Sequence, residues 1–278
     1  MFNAYYNGKF SSYEDVRIPL SDRSIFFADS VYEVILGGNG KIYQFAEHMD
    51  RLKASASFLS FDLSEIDKTV KEISDYLIQE TQYEYFYIYV QVSRNVNVRN
   101  HTYPSNAKYN LLVFVYPTLF PDISKPISLI TKVDVRHRIC HVKTTNLLPA
   151  VLASKDADLN GADECVFIYD GIVTECSHSN LFLIKNNELY THPLTEKILP
   201  GITRQTLLEI AASKGIKCNE IPFTKDEMLK ADEILITSTT KLVRIASKID
   251  GIKVGGRSFD TAFMLSSALK EKFTSSIC

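Results

Sequence analysis

The stretch YPTLFPDISKP, residues 116–126, sets Pro117, Pro121 and Pro126 where a regular element would otherwise run. Proline fixes φ and lacks a backbone donor, so the stretch reads as a linker. It predicts a boundary near residue 120, between a first domain at residues 1–119 and a second at residues 120–278. A chain of 278 residues can bury a core in each.

The first domain reads as α+β. Asn7-Gly8 between aromatic runs in AYYNGKF is a hairpin signal, and SVYEVILGGNGKIYQF repeats it around Gly37 to Gly40. Met49, Leu52, Ala56 and Leu59 recur at helical spacing, and SEIDKTVKEISDYLIQE predicts a second helix capped by Ser64. YEYFYIYVQVSR and YNLLVFVYP are too rich in aromatic and β-branched residues for exposed surface and read as central strands.

The second domain reads as a mixed sheet with helices around it. Strands are predicted at ISLITKVDV, ECVFIYDGIVTE, NLFLIKNNELYTH and EILITS, with helices from about Leu147 to Asn160, over GITRQTLLEIAASKG, and from Asp260 onward. The order fits no clean βαβ repeat.

Composition narrows the partners. Hydrophobic content of 45%, charged content of 23% and a formal net charge of -2 describe a globular protein without the basic excess that nucleic acid demands. No apolar window approaches a membrane span, and MFNAYYNGKF lacks the pattern of a signal peptide, so the expected address is the cytoplasm. Five scattered cysteines without a C-x-x-C pair read as reduced thiols, and six histidines without H-E-x-x-H spacing give no metal site.

Four constellations carry possible chemistry. Lys143 lies at the junction of the β-rich RHRICHV and an apolar helix, where packing can desolvate an amine and suit it to Schiff-base chemistry. Residue types alone leave open an ordinary snorkelling lysine. Glu175 ends a strand in DGIVTECSHSNLFLI, where a partly buried carboxylate needs a cationic or hydrogen-bonding partner; a solvated strand end is the plain alternative. LPGITRQT and ITSTTK are anion-binding designs at a helix start and a strand end, with Arg51 as an added charge, though hydroxyl-rich loops also serve as turns. Arg99 and His101, crowded with Arg94 after a buried strand, can grip a small carboxylate or form a solvated basic loop.

Taken together, VYEV, EHMDRLKASA, RNH, VKTTNLLPAVLA, VTECSHSNLF, LPGITR, EIPF and TSTT resemble, in order and spacing from Tyr6 to about Thr240, the fold-type IV pyridoxal-phosphate enzymes, and most closely the D-amino-acid aminotransferases. That resemblance implies a two-domain fold, with a small N-terminal α/β domain and a larger C-terminal mixed-sheet domain that anchors pyridoxal 5′-phosphate. It implies that Lys143 carries the cofactor as a Schiff base and moves the substrate proton, and that Glu175 keeps the ring nitrogen protonated. Arg51, Ile202, Thr203, Ser238 and Thr239 match the phosphate cup, and Leu199 matches a residue under the ring. Tyr32, Arg99 and His101 match the trap for the substrate α-carboxylate, the basis of preference for D over L. The resemblance also implies a homodimer, because in this family the arginine and histidine cross the subunit interface.

The implied activity is transfer of an amino group between D-amino acids, such as D-alanine and D-glutamate, and 2-oxo acids, in a ping-pong cycle through pyridoxamine phosphate. 4-Amino-4-deoxychorismate lyase, which releases pyruvate by elimination, and branched-chain aminotransferase are the alternatives within the family; a non-catalytic cofactor-binding protein is the alternative outside enzymes. Departures are Ala28 and Ser30 in place of glycines, His178 in place of a serine, and KLVRIA, with Arg244, after the phosphate loop. They bear on which side chain is accepted, through a narrower pocket or a second anionic contact.

Overall fold

The computed structural model describes residues 1–95, 98–103 and 108–278. Its backbone forms two units, the first comprising Met1–Phe120, Val142–Asn146 and Ser276–Cys278, the second Pro121–His141 and Leu147–Ser275. The five residues around Lys143 therefore belong with the N-terminal unit, a return of the chain that no compositional shift signals.

The first unit contains β1 (Ala4–Tyr6), β2 (Lys9–Ser11), α1 (Arg23–Phe27), β3 (Ser30–Gly38), β4 (Lys41–Ile42), α2 (Phe45–Phe58), α3 (Ile66–Thr81), β5 (Tyr85–Arg94) and β6 (Tyr109–Pro117). Its sheet runs β2-β1-β6-β5-β3-β4 with every pair antiparallel. β5 is central and alternates from Tyr85 to Val92: Phe86, Ile88, Val90 and Val92 are fully buried, while Tyr85, Tyr87, Tyr89 and Gln91 line the other face. Helices α2 and α3 pack on β3 and β6. Leu52, Val70 and Leu77 are fully buried on these helices, and each such side chain stabilises the fold by about 1.5–3 kcal/mol. The expected Ser64 cap is not made. The helix starts at Ile66 with Glu65 at its N-cap and no side-chain cap among the described residues, so Ser64 lies one position too early, in a turn where its N–H donates to Asp62 Oδ1 at 3.1 Å.

The second unit contains β7 (Ile127–Val133), α4 (Leu148–Leu159), β8 (Glu164–Tyr169), β9 (Ile172–Cys176), β10 (Asn180–Lys185), β11 (Glu188–Thr191), α5 (Ile202–Ser213), β12 (Cys218–Glu220), α6 (Lys225–Leu229), β13 (Glu233–Ser238), β14 (Leu242–Ile249) and β15 (Ile252–Lys253), and most of α7 (Phe259–Ile277). The sheet order is β12-β11-β10-β13-β14-β7-β8-β9, with β15 on β14. It is mixed: β7 pairs in parallel with both β8 and β14, and β13 antiparallel with β10 and β14. Ile127, Leu129, Val166, Leu181, Ile234 and Ile236 join in one buried cluster across these strands. β14 is an element the sequence reading lacked. It lies mid-sheet although Arg244 and Lys248 interrupt its apolar run. Among the described residues no helix is long and apolar enough to cross a membrane, and no cluster of His, Cys, Asp and Glu could hold a metal ion.

Candidate active site

Lys143 is fixed by an open sheet edge. β4 covers only Gly37 and Gly38 of β3, and residues 142–146 fill the edge left at its Ser30–Tyr32 end. Tyr32 N–H donates to the Lys143 carbonyl at 3.0 Å, Thr145 N–H donates to Ser30 O at 3.3 Å, and Val31 pairs with Thr144 between them. The Lys143 N–H donates to Ser55 Oγ on α2 at 3.1 Å. Ser30, one of the residues standing in place of glycine, contributes here: its hydroxyl shares a 2.5 Å hydrogen bond with that of Thr145. The half-buried Lys143 side chain sets Nζ 4.2 Å from the centroid of the Tyr32 ring, which stacks on Tyr89 at 5.5 Å. Cation–π attraction of this kind is worth about 0.5–1 kcal/mol at an exposed site and more when desolvated.

Arg51 is oriented by a carboxylate from β3. Glu33 shares the buried face of Val31 and Ile35, a position intolerable for an unpaired charge. Arg51 Nε and Nη2 donate to its two oxygens at 2.7 and 2.8 Å, and His48 Nδ1 lies 2.8 Å from Oε2. Burial pushes the Glu33 carboxyl up, but Arg51 and His48 outweigh it and hold the group well below the usual carboxylate range. Burial pushes the His48 imidazole down, and Arg51 and Lys143 nearby add to that.

Arg99 and His101 meet at one ring. The Arg99 guanidinium carbon lies 5.3 Å from the Phe27 centroid, and the His101 imidazole 5.4 Å from the same ring.

In the second unit Glu175, 5% exposed at the end of β9, is held from both oxygens. Arg136 Nη1 donates to Oε1 at 2.6 Å; Asn180 Nδ2 and Leu199 N–H donate to Oε2 at 2.9 and 3.1 Å. Arg136 is itself gripped by Asp134, at 3.0 Å from Nε and 2.8 Å from Nη2, and lies 4.5 Å from the centre of the Phe167 ring. Burial pushes the Glu175 carboxyl up to about 7, with Arg136 pulling the other way.

Asn180 joins this carboxylate to the next element. It also donates to Leu199 O at 2.9 Å, and its Oδ1 packs so closely on Gly201 that a Cβ there would overlap it. Gly201 is the N-cap of α5 and no side-chain cap is made there among the described residues, so the N–H groups of the first turn and the positive end of the helix dipole are suited to an anion. Thr237 on β13 is the register partner of Asn180, and β13 packs against α5, bringing the end of β13 to that helix start. The buried hydroxyls of Thr237 and Ser238 have no hydrogen-bond partner among the described residues. A buried orphan of this kind costs about 1–3 kcal/mol unless a ligand satisfies it. Thr239 follows, half-buried, in the turn after β13.

Gly201→Ala is expected to push Asn180 off Glu175 and off the α5 start together, weakening cofactor retention at least about tenfold. Absorbance of the protein after dialysis measures this; undiminished retention would refute the role assigned to the turn.

Of the departures, His178 and Arg244 are both engaged. His178 N–H donates to buried Glu164 at 2.9 Å, and its Nε2 lies 2.9 Å from Lys241 Nζ. Arg244 donates to Lys125 O at 2.9 Å. The sequence reading missed Glu33, Asp134, Arg136 and Asn180. Glu33 had a signal: a charge on the same strand face as Val31 and Ile35 must find a cation, and His48 and Arg51 lie one helical turn apart on the following helix. Arg136 had none, since DVRHRIC reads equally well as surface.

An antiparallel sheet backed by helices in one unit and a nine-stranded mixed sheet in the other form the α+β architecture of the fold-type IV aminotransferases. The amino-transferase class IV profile matches residues 30–249, and the chain belongs to that family. D-alanine aminotransferase of Bacillus licheniformis is 36% identical over 252 residues, covering 90% of this chain and 89% of that protein. The enzyme of the same name from Staphylococcus epidermidis is 34% identical over 257 residues and 91% of each chain. Among solved structures, the branched-chain amino acid aminotransferase from Escherichia coli superposes with a TM-score of 0.85 at 22% identity, covering 100% of this chain and 96% of that one. A putative 4-amino-4-deoxychorismate lyase from Legionella pneumophila gives 0.84 at 25% identity, over 94% and 97%. The protein is an aminotransferase, and the family's cofactor is pyridoxal 5′-phosphate; another structural neighbour, a branched-chain aminotransferase, is solved with pyridoxamine 5′-phosphate. The chain fits it: an uncapped helix start and an orphaned Ser238 hydroxyl suit the phosphate, and Glu175 suits a protonated ring nitrogen.

Proposed function

We propose that this aminotransferase moves the amino group of D-alanine and D-glutamate to 2-oxo acids in two half-reactions. The observation that carries the reading is Arg99 and His101 set against one ring, in a chain that aligns over nine-tenths of its length with relatives named D-alanine aminotransferase. A guanidinium and an imidazole two residues apart grip one carboxylate with directional, charge-assisted hydrogen bonds.

Pyridoxal 5′-phosphate, when bound, supplies a carbonyl carbon that accepts the amino group and a ring that takes up the electrons left when the Cα–H bond breaks. Lys143 Nζ would hold it covalently, and as a free amine would take the substrate Cα proton and return it. Glu175 would hold a proton at the ring nitrogen, Ile202, Thr203, Ser238, Thr239 and Arg51 would bind the phosphate, and Leu199 would pack against the ring. Arg99, His101 and the Tyr32 phenol hold the substrate α-carboxylate. Because Lys143 acts from one side, the placement of that carboxylate decides which enantiomer presents its Cα–H to the amine.

The working unit in this reading is a cytoplasmic homodimer in which Arg99 and His101 serve the site of a second copy. Leu148, Val151 and Leu152 of α4, 68%, 57% and 57% exposed, favour such an association. D-alanine with 2-oxoglutarate should yield pyruvate and D-glutamate. Product from L-leucine in its place, or pyruvate from aminodeoxychorismate alone, would transfer the chain to the branched-chain or lyase reading.

A further inference from the structure

We propose that Arg23 is the positioning residue for the substrate-carboxylate trap, holding from behind the turn that carries Arg99 and His101. The inference rests on the trap reading above and adds to it the group that sets the trap's geometry. Arg23 is 4% exposed at the start of α1. Its Nη1 donates to the carbonyls of Asn100 at 2.5 Å and Thr102 at 3.4 Å, and its Nη2 to that of His101 at 3.3 Å. Three consecutive carbonyls thus converge on one cation, which bends residues 100–102 around it.

The guanidinium is held on two further sides, because its Nε donates to Asp29 at 2.7 Å and its central carbon lies 4.5 Å from the Phe27 ring centre. Phe27 is the same ring that Arg99 and His101 approach. Asp29 is pinned in turn by Arg94 Nε at 2.9 Å, and Arg94 lies 3.7 Å from the ring centre of Tyr103 at the far side of the turn. Arg23 therefore fixes the backbone between the two trap residues and the platform under their side chains. A cation whose hydrogen bonds among the described residues go to main-chain carbonyls and one structural carboxylate leaves the recognition of a free carboxylate to Arg99 and His101. It acts on substrate through them, by holding their spacing.

Arg23→Lys keeps the charge, but a single ammonium cannot span Asp29 and three carbonyls at once. The holoenzyme carrying it should show a KM for D-alanine raised by about 10–100-fold with a smaller change in kcat, the signature of lost ground-state grip. Calorimetry should find propionate, which is D-alanine without its amine, bound correspondingly more weakly. The loss for D-alanine should exceed the loss for 2-aminopropane, which has no carboxylate, at least tenfold. Arg23→Lys combined with Arg99→Ala should be little worse than Arg99→Ala alone. Equal losses on both amines would overturn the proposal as general loosening, as would losses that multiply in the double variant. Unchanged KM and propionate binding in Arg23→Lys, with Arg99→Ala impaired, would overturn it while leaving the trap standing. If Arg99→Ala itself is unimpaired, the trap reading fails and this inference goes with it.

Discussion

A Lys143→Ala variant is expected to lose the Schiff-base absorbance of the purified protein and at least about 10³-fold in turnover, since in the proposed reading one amine serves as both covalent anchor and proton carrier. The fold should survive the change. The bonds that place residue 143 use its main chain: its carbonyl accepts from Tyr32 and its N–H donates to Ser55, and alanine keeps both. What is lost is an amine over the Tyr32 ring, a contact worth about 1 kcal/mol. Thermal unfolding of the ligand-free variant should therefore match the parent within a few degrees, while the holoenzyme spectrum changes completely. A variant that keeps the absorbance would show that another lysine holds the cofactor.

The backbone scaffold was legible where local chemistry decides it. Asn7 and Gly8, at φ +43° and +92°, take the left-handed conformations that an Asn-Gly hairpin predicts, and β5 alternates as its aromatic run requires. β14 was not legible, because its membership is set by β13 and β7 on either side and not by its own residues, two of which are cationic. Ser64 misled because the turn over residues 63–66 delays the helix by one residue and puts Glu65, not Ser64, at the N-cap. Within the site, the residues proposed to touch cofactor or substrate are the ones that motifs single out. The groups that orient them did not, since Arg136, Asn180 and Arg23 act through contacts with residues far along the chain. Arg136 reaches Glu175, Asn180 ties Leu199 to the β9 end, and Arg23 reaches Asn100; none of these separations leaves a periodic trace.

Glu175→Gln should lower kcat by about 10²–10³-fold with a smaller effect on KM, since a carboxylate opposite a protonated ring nitrogen stabilises charge that develops as the Cα–H bond breaks. The substitution conserves shape and leaves an oxygen for Asn180 and the Leu199 N–H, so the turn that carries Leu199 and Gly201 should keep its place. The charge goes and so does one acceptor: the new NH2 faces Arg136 Nη1, which gives up its bond to residue 175 and retains Asp134 as its partner. A second readout separates charge from packing. In the ligand-free protein burial pushes Glu175 from its ordinary 4.5 up to about 7, so the folded state holds a proton that the unfolded chain has released. Stability must then fall as pH rises from about 4.5 to about 7, because ionising the carboxyl in place costs desolvation that Arg136 only partly offsets. In Glu175→Gln there is nothing to ionise, and that slope should flatten while the contributions of other groups persist. An unchanged slope, or a kcat within about threefold of the parent, would remove Glu175 from the ring nitrogen and leave its buried carboxylate a structural partner of Arg136.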